Sequence, residues 1–414
     1  MARRTVVAAG AILFAACSAQ SPPQEAPRMP DRAAASELVA AGTGFGDPLP
    51  GLGTAELASF EVGKVEFVTA DEADEGLGPV FNEASCVACH LGPDTAVGGT
   101  NQRLETRFGR TRAGTFDPMA DFGGSLIQDQ GIGEVSVPAG TYTFTGETVP
   151  TDATVRASRR TQPLFGLGLV DATPESTFKT IAFLQSIFTP STAGTPSEVL
   201  DPSNGGAPAL GKFGWKAQVP SLFVFSADAY LNEMGITNPI FPNENCPQGN
   251  CDLLKYNPAL QTPNDDGTGV ARFNDFMTFL GPPPRGPRNL ETEIGNAMAA
   301  AIGCLDCHVQ TLRTGRNAVA ALDRVYYHPF SDFLLHDMGS LGDGITQNQA
   351  TGRLMRTQPL WGLRTQAKLL HDGRASSIAQ AILAHDGQGA RARERFKGLD
   401  RFAHAALIAF LESL

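Results

Sequence analysis

The sequence predicts a mainly α-helical protein with two homologous domains in tandem, long loops and a small β-hairpin inserted in the first domain. A string of eight residues recurs with one change, at 160–167 and at 356–363. In each half this string follows a Cys-x-x-Cys-His run, and each half ends in an apolar, helix-like stretch. The same features in the same order indicate two copies of one folding unit.

Residues 1–17 have the features of a lipoprotein-type signal peptide. Two arginines precede an apolar run that is too short to cross a bilayer. The run ends at Cys17 in what resembles a bacterial lipoprotein cleavage box, although Phe14 stands where an aliphatic residue is usual. We expect an exported, periplasmic protein that is attached to the membrane only by a lipid on Cys17, with ordinary secretory cleavage as the alternative. Residues 18–45 are rich in Pro, Ala and Ser and predict a flexible tether.

The first domain is predicted to span residues 46–281 and to carry the insertions. A helix is expected at Glu72–Ala84, before the first Cys-x-x-Cys-His run, and another at Arg272–Leu280. Alternating polar and apolar residues on both sides of Pro138–Gly140 predict the hairpin. Asn264–Gly267 is acidic but lacks the rest of a calcium-binding loop, so a turn is favoured over a calcium site.

The second domain is predicted to span residues 286–414. Pro282–Pro284 cannot continue a helix and therefore mark the linker between the domains. Glu291–Ile302 is expected to form the helix before the second Cys-x-x-Cys-His run, and Arg401–Leu414 the last helix. The two domains should thus be built alike.

Both halves contain a motif for covalent haem attachment. Its residues are Cys86, Cys89 and His90 in the first half and Cys304, Cys307 and His308 in the second. This spacing allows thioether bonds to both vinyl groups of one haem, with the histidine as proximal iron ligand. Two motifs predict two covalently bound haem c groups (iron cofactors) and a cytochrome c-like fold for each domain. A zinc site or a thioredoxin-like dithiol does not explain a histidine at both fifth positions.

The remaining cysteines and the charge narrow the classes of protein further. Cys246 and Cys251 are close in sequence, so in an oxidising compartment they are expected to form a loop-closing disulfide. The formal net charge is −11 at pH 7 and no basic stretch is present. This composition excludes a nucleic-acid-binding protein as a reasonable interpretation.

Four longer strings carry a resemblance to a known family. They are Phe213–Ala217, Glu233–Asn238, Ser331–Gly339 and Leu370–Ala375. Together they resemble the bacterial di-haem oxidoreductases, which are assigned as peroxidases or thiol oxidoreductases and are related to di-haem cytochrome c peroxidases. The resemblance implies two cytochrome c domains that share an interface, haems in electronic contact, and peroxidase-type or related oxidative chemistry.

The distal ligand of the second haem is expected to be His385. In the peroxidase relatives a distal methionine lies fourteen residues after the histidine of a His-Asp-Gly turn, and counting from His371 leads to His385. Two histidine ligands would give a lower potential than His and Met. His336 and His371 are rival ligands, Met338 is a weaker one, and a histidine on a helix end without an iron is the remaining alternative.

The first haem is expected to be open or weakly ligated. No histidine lies between the two attachment motifs. Alignment of the repeated helices pairs Gln185 with His385, and a glutamine amide could hydrogen-bond a bound oxygen species. Other possible ligands, each also explained as a packed side chain, are Met119, Met234, Met277 and Tyr142.

Peroxide cleavage also needs a proton carrier and an electron path. Glu175 is the expected acid–base group and Asp171 the alternative, although a glutamate in a first helical turn is also favoured by the helix dipole. Trp215 lies in the segment that joins the halves and is expected to help electrons pass between the haems. Trp361 is expected to be a packed aromatic side chain.

The sequence therefore predicts a periplasm-facing di-haem oxidoreductase that reduces hydrogen peroxide, or another small oxidant, at the first haem. The second haem would relay electrons from a small redox protein or a quinol-linked donor. Two alternatives stay open. One is an oxidase, oxygenase or thiol oxidoreductase with an unknown substrate, and the other is a non-catalytic electron carrier or haem sensor.

Overall fold

The computed structural model describes residues 44–259 and 263–414. The predicted signal peptide, Cys17 and nearly all of the predicted tether lie outside the described residues. Within those ranges, no helix is both long and apolar enough to cross a bilayer.

Helices and short strands alternate along both halves. The helices are α1 (Thr54–Val68), α2 (Leu167–Asp171), α3 (Glu175–Phe188), α4 (Leu222–Met234), α5 (Thr268–Phe279), α6 (Leu290–Ile302), α7 (Ile378–Ala384), α8 (Ala390–Lys397) and α9 (Arg401–Glu412). The strands are β1 (Val80–Phe81), β2 (Leu104–Arg112), β3 (Thr115–Asp117), β4 (Gln130–Gly131), β5 (Gly133–Val137), β6 (Gly140–Phe144), β7 (Val155–Arg160), β8 (Ser197–Asp201), β9 (Ala207–Gly211), β10 (Leu312–Arg313), β11 (Tyr326–Tyr327), β12 (Leu335–Asp337) and β13 (Leu354–Arg356).

The strands form small antiparallel sheets, so the expectation of a mainly α-helical chain is corrected to a mixture of helix and strand. β2 lies between β3 and β7, and the other strands pair as β1–β4, β5–β6, β8–β9, β10–β11 and β12–β13. The predicted hairpin is confirmed as β5–β6, in which Val137 pairs with Gly140. Most of the other strands have only two or three residues, which carry little periodicity. Longer strands were also missed, the longest being β2 with nine residues.

Each half is closed by a crossing of two helices at a glycine. α1 packs against α5, and α6 packs against α9. A Cβ atom on Gly63 would lie 2.3 Å from the carbonyl oxygen of Arg272, and one on Gly295 would lie 2.0 Å from that of Ala406. Both crossings therefore require glycine, because any larger residue would force the two backbones apart.

The helix before the first attachment motif is α1, and the predicted helix at Glu72–Ala84 is wrong. That segment contains turns and the short strand β1. Gly76 and Gly78 have φ values of +113° and +87°, and Pro79 has no N–H to donate. These three residues are incompatible with a continuous helix. The expected helices at the other three positions are present as α5, α6 and α9.

The two copies of the repeated string meet where the halves join. The side-chain amide of Gln162 donates to the side-chain oxygen of Gln358, the same position of the other copy, at 2.6 Å. Gly166 and Gly362 also occupy equivalent positions, with φ values of +71° and +73°. A Cβ on Gly166 would lie 2.8 Å from the Trp361 ring, which confirms Trp361 as a packed aromatic. The two copies of the repeated string therefore form part of the contact between the halves, which we call the junction.

Two local predictions in the first half can be compared with the structure. Cys246 and Cys251 form a disulfide with an S–S distance of 2.01 Å. In the acidic stretch considered for calcium, the Asp265 carboxylate accepts hydrogen bonds from the backbone N–H groups of Gly267 and Gly269. This carboxylate therefore shapes the turn that leads into α5.

Candidate functional site

A cavity of about 410 Å³ extends through the junction and reaches both attachment motifs. His90 of the first motif and His308 of the second both line it, as do Trp215 and His371. In the described part of the chain, Cys307, Asp332 and His336 form a group of three potential metal ligands, which includes no residue of the first motif. The arrangement therefore fits two separate groups, one at each motif, better than a shared zinc ion.

The second motif presents its histidine as an iron ligand would be presented. Nδ1 of His308 lies 2.9 Å from the carbonyl oxygen of Phe330, so it must carry the proton and donate. Burial, with a smaller contribution from the nearby His385, lowers the pKa of His308 to about 4. The imidazole is thus neutral at pH 7, with Nε2 left as the free lone pair.

The first motif offers a similar imidazole. Burial lowers the pKa of His90 to about 4, so this ring is also neutral. Its ring centroid lies 5.9 Å from that of Phe67, at the end of α1. Its Nδ1 is buried and has no hydrogen-bond partner of regular geometry in residues 44–259 and 263–414. A neutral, buried imidazole at each motif fits a haem at each motif.

His385 lines the same side of the cavity as His308. It ends α7, and its Nδ1 donates to the carbonyl oxygen of Ala381 at 2.8 Å. Burial lowers the pKa of His385, so the ring is neutral and its Nε2 is free. The geometry is that of a histidine held ready to coordinate a metal.

The rival histidines differ from His385 in their surroundings. Nε2 of His336 lies 2.9 Å from the Asp332 carboxylate, and its Nδ1 lies 3.5 Å from Sγ of Cys307. Burial alone would lower the pKa of His336, but Asp332 raises it to about 10, so both nitrogens are protonated. His336 is therefore a poor ligand. His371 stays neutral, because burial lowers its pKa to about 4, and it packs edge-on against Trp215.

Trp215 lies between the two halves, as its position in the sequence suggests. Its indole N–H donates to the carbonyl oxygen of Arg160 at 3.0 Å. Its own carbonyl oxygen accepts from the backbone N–H of Arg356 at 2.9 Å. Arg160 and Arg356 are the first residues of the two repeated strings. The tryptophan is thus held by equivalent backbone positions of both halves.

Gln185 is not on the first haem's side of the cavity, and that expectation is corrected. Its amide nitrogen donates to the carbonyl oxygen of Asp306 at 2.7 Å and to the carboxylate of Asp332 at 2.8 Å. Asp306 belongs to the second attachment motif. The alignment failed because α3 is followed by a longer insertion than its counterpart. The C-terminal end of α3 packs on the second half.

Glu175 does not line the cavity either, and its acid–base role stays a prediction that this placement does not support. Its carboxylate pairs with Lys179 at 2.8 Å and accepts from the backbone N–H of Leu210. Burial raises the pKa of Glu175 somewhat, but these two partners outweigh it and the pKa is lowered. The alternative, Asp171, pairs with Lys212 at 2.8 Å, also outside the cavity lining.

The other possible ligands of the first haem divide into two groups. Met119 packs in a separate cluster with Phe108, and Tyr142 stacks on Tyr256 with 5.1 Å between ring centroids. Neither lines the cavity, whereas two buried methionines do. These are Met234 and Met277.

Charged residues that sequence reasoning missed line the first side of the cavity. Glu105 and Arg107 form an ion pair at 2.8 Å. The Glu233 carboxylate accepts from the Asn82 amide at 2.7 Å, and burial raises the pKa of Glu233 to about 7. Glu233 stands in a string that already carried the family resemblance, but its contact with Asn82, far away in sequence, could not be predicted from spacing.

Both attachment motifs line one cavity, and this is the geometry that a di-haem protein needs. A family described as "Di-haem oxidoreductase, putative peroxidase" matches residues 145–414, and the chain belongs to this family. No curated protein matches the sequence. A Kuenenia stuttgartiensis hydrazine synthase structure, determined under xenon pressure, is similar over 98% of this chain and 100% of that chain, with 12% identity and a TM-score of 0.37. That likeness is too weak to support a conclusion.

Proposed function

We propose that the protein is a peroxidase-like di-haem c-type oxidoreductase with one covalent haem at each attachment motif. The observation that carries this proposal is the shared cavity, which joins both motifs and has a second free histidine on one side only. His308 and His385 both present Nε2 on that side. On the other side, His90 has no histidine of its own half to oppose it.

We further propose that each half is a cytochrome c-like domain, with the boundaries 46–281 and 286–414. Support comes from the duplicated helix crossings at Gly63 and Gly295. In both halves the first crossing helix precedes the attachment motif and the second one ends the half. Duplication of a packed crossing, and not only of a sequence string, is what two copies of one domain should have.

The two sides would have different tasks. On the second side, His308 and His385 would complete a six-coordinate iron that only relays electrons. On the first side, His90 alone would leave a coordination position for peroxide. Bound haem would supply the iron that binds peroxide and the electrons that break its O–O bond. Reduction of one hydrogen peroxide to two water molecules consumes two electrons and two protons.

Protons for this reaction would come from a carboxyl group of the cavity wall. The carboxyl groups of the first half that line the cavity are Glu83, Glu105, Asp228 and Glu233. Glu83 and Glu105 are held by arginines. Glu233 accepts instead from a neutral amide, so it can exchange a proton without breaking an ion pair. We therefore propose Glu233 in the role expected of Glu175.

Electrons would reach the second side from a small redox protein or a quinol-linked donor and pass the junction beside Trp215. We propose a periplasmic location with a lipid anchor on Cys17. A hydrogen peroxide reductase that faces the periplasm needs such an external donor, because the chain itself supplies no electrons.

Ligand binding by the reduced holoprotein tests the proposal. Carbon monoxide and cyanide should bind one haem per chain and not two. The His385→Gly variant should create a second binding site and a high-spin signal that added imidazole removes, while His371→Gly should not. Two low-spin haems that ignore carbon monoxide, cyanide and peroxide would instead support an electron carrier.

A matched pair of variants tests the proton carrier. Glu233→Gln should slow the reaction with peroxide by ~10²–10⁴, the usual contribution of a general acid–base group. Glu175→Gln should leave the rate unchanged, because its carboxylate lies outside the cavity lining. Carbon monoxide binding should be normal in both. Equal rates in the two variants would remove Glu233 from the mechanism.

A further inference from the structure

Two buried arginines line the cavity without an acidic partner. Arg160 and Arg356 are 7% and 5% exposed, and both belong to the cavity wall. Neither has a carboxylate within ion-pair distance in residues 44–259 and 263–414. Burial lowers the pKa of Arg160 to about 10 and that of Arg356 to about 9, so both remain charged at neutral pH. Buried charges are normally paired, because an isolated one is costly.

The contacts that these arginines do make are with neutral groups. Nε of Arg160 donates to the carbonyl oxygen of Leu370 at 2.8 Å, while its buried Nη1 has no partner in the described chain. Nε of Arg356 donates to the carbonyl oxygen of Gly214 at 2.7 Å, and its Nη2 donates to Gln358 at 3.1 Å. The contacts fix both side chains but leave their charge uncompensated.

The neighbouring Arg159 shows that a buried arginine of this cavity can have an acidic partner in the chain itself. Arg159 also lines the cavity and is 1% exposed. Its Nε donates to the Asp343 carboxylate at 2.8 Å, so the chain itself supplies the anion. Asp332 influences the pKa of Arg356, but its carboxylate is already bonded to His336. Arg160 and Arg356 thus differ from Arg159 because, within the described residues, no carboxylate pairs with them.

We propose that Arg160 and Arg356 bind the propionate groups of the two haems, one arginine to each haem, on either side of Trp215. The assignment of one to each follows from their equivalent positions in the repeated string. A guanidinium binds a carboxylate through charge-assisted hydrogen bonds. Nη1 of Arg160 has no partner in the described chain, whereas Nη1 of Arg356 donates to the carbonyl oxygen of Thr357 at 3.2 Å and has its second N–H left to donate. The Cζ atom of Arg160 lies 5.8 Å from the centroid of the Trp215 ring. The propionate-bearing edges of both haems would therefore converge on this tryptophan.

This inference rests on the proposed presence of two haems, and it is tested on the holoprotein by spectroelectrochemical titration. Arg160→Gln should lower the midpoint potential of one haem, and Arg356→Gln that of the other. The physical reason is that a cation beside a haem stabilises the electron taken up on reduction. Lysine at either position keeps the charge and should produce a smaller shift of the same sign. If a glutamine variant does not assemble, an unchanged potential in the lysine variant overturns the proposal.

The matched control is Arg353→Gln, which should leave both potentials unchanged because Arg353 is exposed, pairs with Asp337 at 3.0 Å and does not line the cavity. Added sodium acetate should also leave the wild-type potentials unchanged, since the propionates already occupy the arginines. A shift with acetate would mean that the arginines bind an exchangeable carboxylate, and it would overturn the proposal. Unchanged potentials in all variants would do the same, even with two haems and normal peroxide turnover. Loss of peroxide turnover in the wild type would sink only the proposed peroxidase function.

Discussion

Replacing Asp343 by asparagine should destabilise the protein strongly. The two oxygens of this carboxylate bind two cations of the other half: Oδ1 lies 2.8 Å from Nζ of Lys216, and Oδ2 lies 2.7 Å from Nη2 of Arg159. The side chains of Asp343 and Lys216 are 0% exposed and that of Arg159 is 1% exposed. Asparagine has the same shape but no charge, so it would leave Lys216 without its anion and Arg159 with only the Glu105 carboxylate, 4.0 Å away.

The expected loss can be estimated from the contacts. At an effective dielectric constant of about 20, each contact of this length corresponds to about 6 kcal/mol of Coulomb attraction, before desolvation is counted. Removal of one partner from a buried ion pair typically costs about 3–5 kcal/mol, because the remaining charge stays buried. We expect the Asp343→Asn variant to lose at least this much free energy of unfolding. Both halves should lose stability in this variant, because the Asp343 side chain joins them.

Urea denaturation followed by tryptophan fluorescence and by the haem Soret band measures this loss. With an m value of about 3 kcal/mol/M, the unfolding midpoint should fall by about 1 M or more. The control is Glu66→Gln, which breaks an ion pair with Arg272 of 2.7 Å whose side chains are 26% and 44% exposed. Exposed pairs contribute only about 0–1 kcal/mol. Equal midpoint shifts in the two variants would refute the reasoning.

The pH dependence of this difference has a definite sign. Burial alone would raise the pKa of Asp343, but Arg159 and Lys216 outweigh it and hold the pKa below its ordinary value of 3.8. A lowered pKa contributes stability that is fully present above 3.8 and is lost as pH falls through the folded-state value. The gap between wild type and Asp343→Asn should therefore be constant from neutral pH down to about pH 4 and narrow only below it.

Two further predictions follow from the crossings and the junction. Gly295→Ala would place a methyl group 2.0 Å from the carbonyl oxygen of Ala406 and should lower the free energy of unfolding, measured by thermal denaturation, by about 1–3 kcal/mol. The control is Gly398→Ala, which should be tolerated because the nearest atom to the new methyl group is 3.5 Å away. Trp215→Phe should slow electron transfer between the haems in stopped-flow experiments without changing ligand binding, because phenylalanine cannot donate the hydrogen bond to the carbonyl oxygen of Arg160. The control Trp361→Phe should leave the electron-transfer rate unchanged.

The features that could be predicted from the sequence are those repeated in it. The attachment motifs, the closing helices α5, α6 and α9 and the position of Trp215 at the junction all follow from strings that occur twice or at a boundary. Local chemistry also predicted the β5–β6 hairpin. Each of these depends on residues that are near one another in the chain, or on the comparison of one half with the other.

The predictions that the structure does not support assumed that the two halves are alike in places where they differ. Gln185 was aligned with His385, but α3 precedes a long insertion that carries its end to the second motif. Glu175 was expected near the first haem for the same reason. The contacts that replace these predictions, such as that of Asp343 with Arg159, join residues 184 positions apart. Neither periodicity nor motif spacing contains information about such pairs.

The differences between the halves also explain why a duplicated scaffold could divide its work. Of the seven histidines, only His90 lies in the first half. The second half has His385, which under the proposed function would be the second iron ligand of an electron-relaying haem. The first side has instead the Glu105–Arg107 ion pair and the Glu233 carboxyl group, which can hold and move protons. Under the proposed function, an open side with these acidic groups and a relay side with His385 would let electrons and protons meet at one place only.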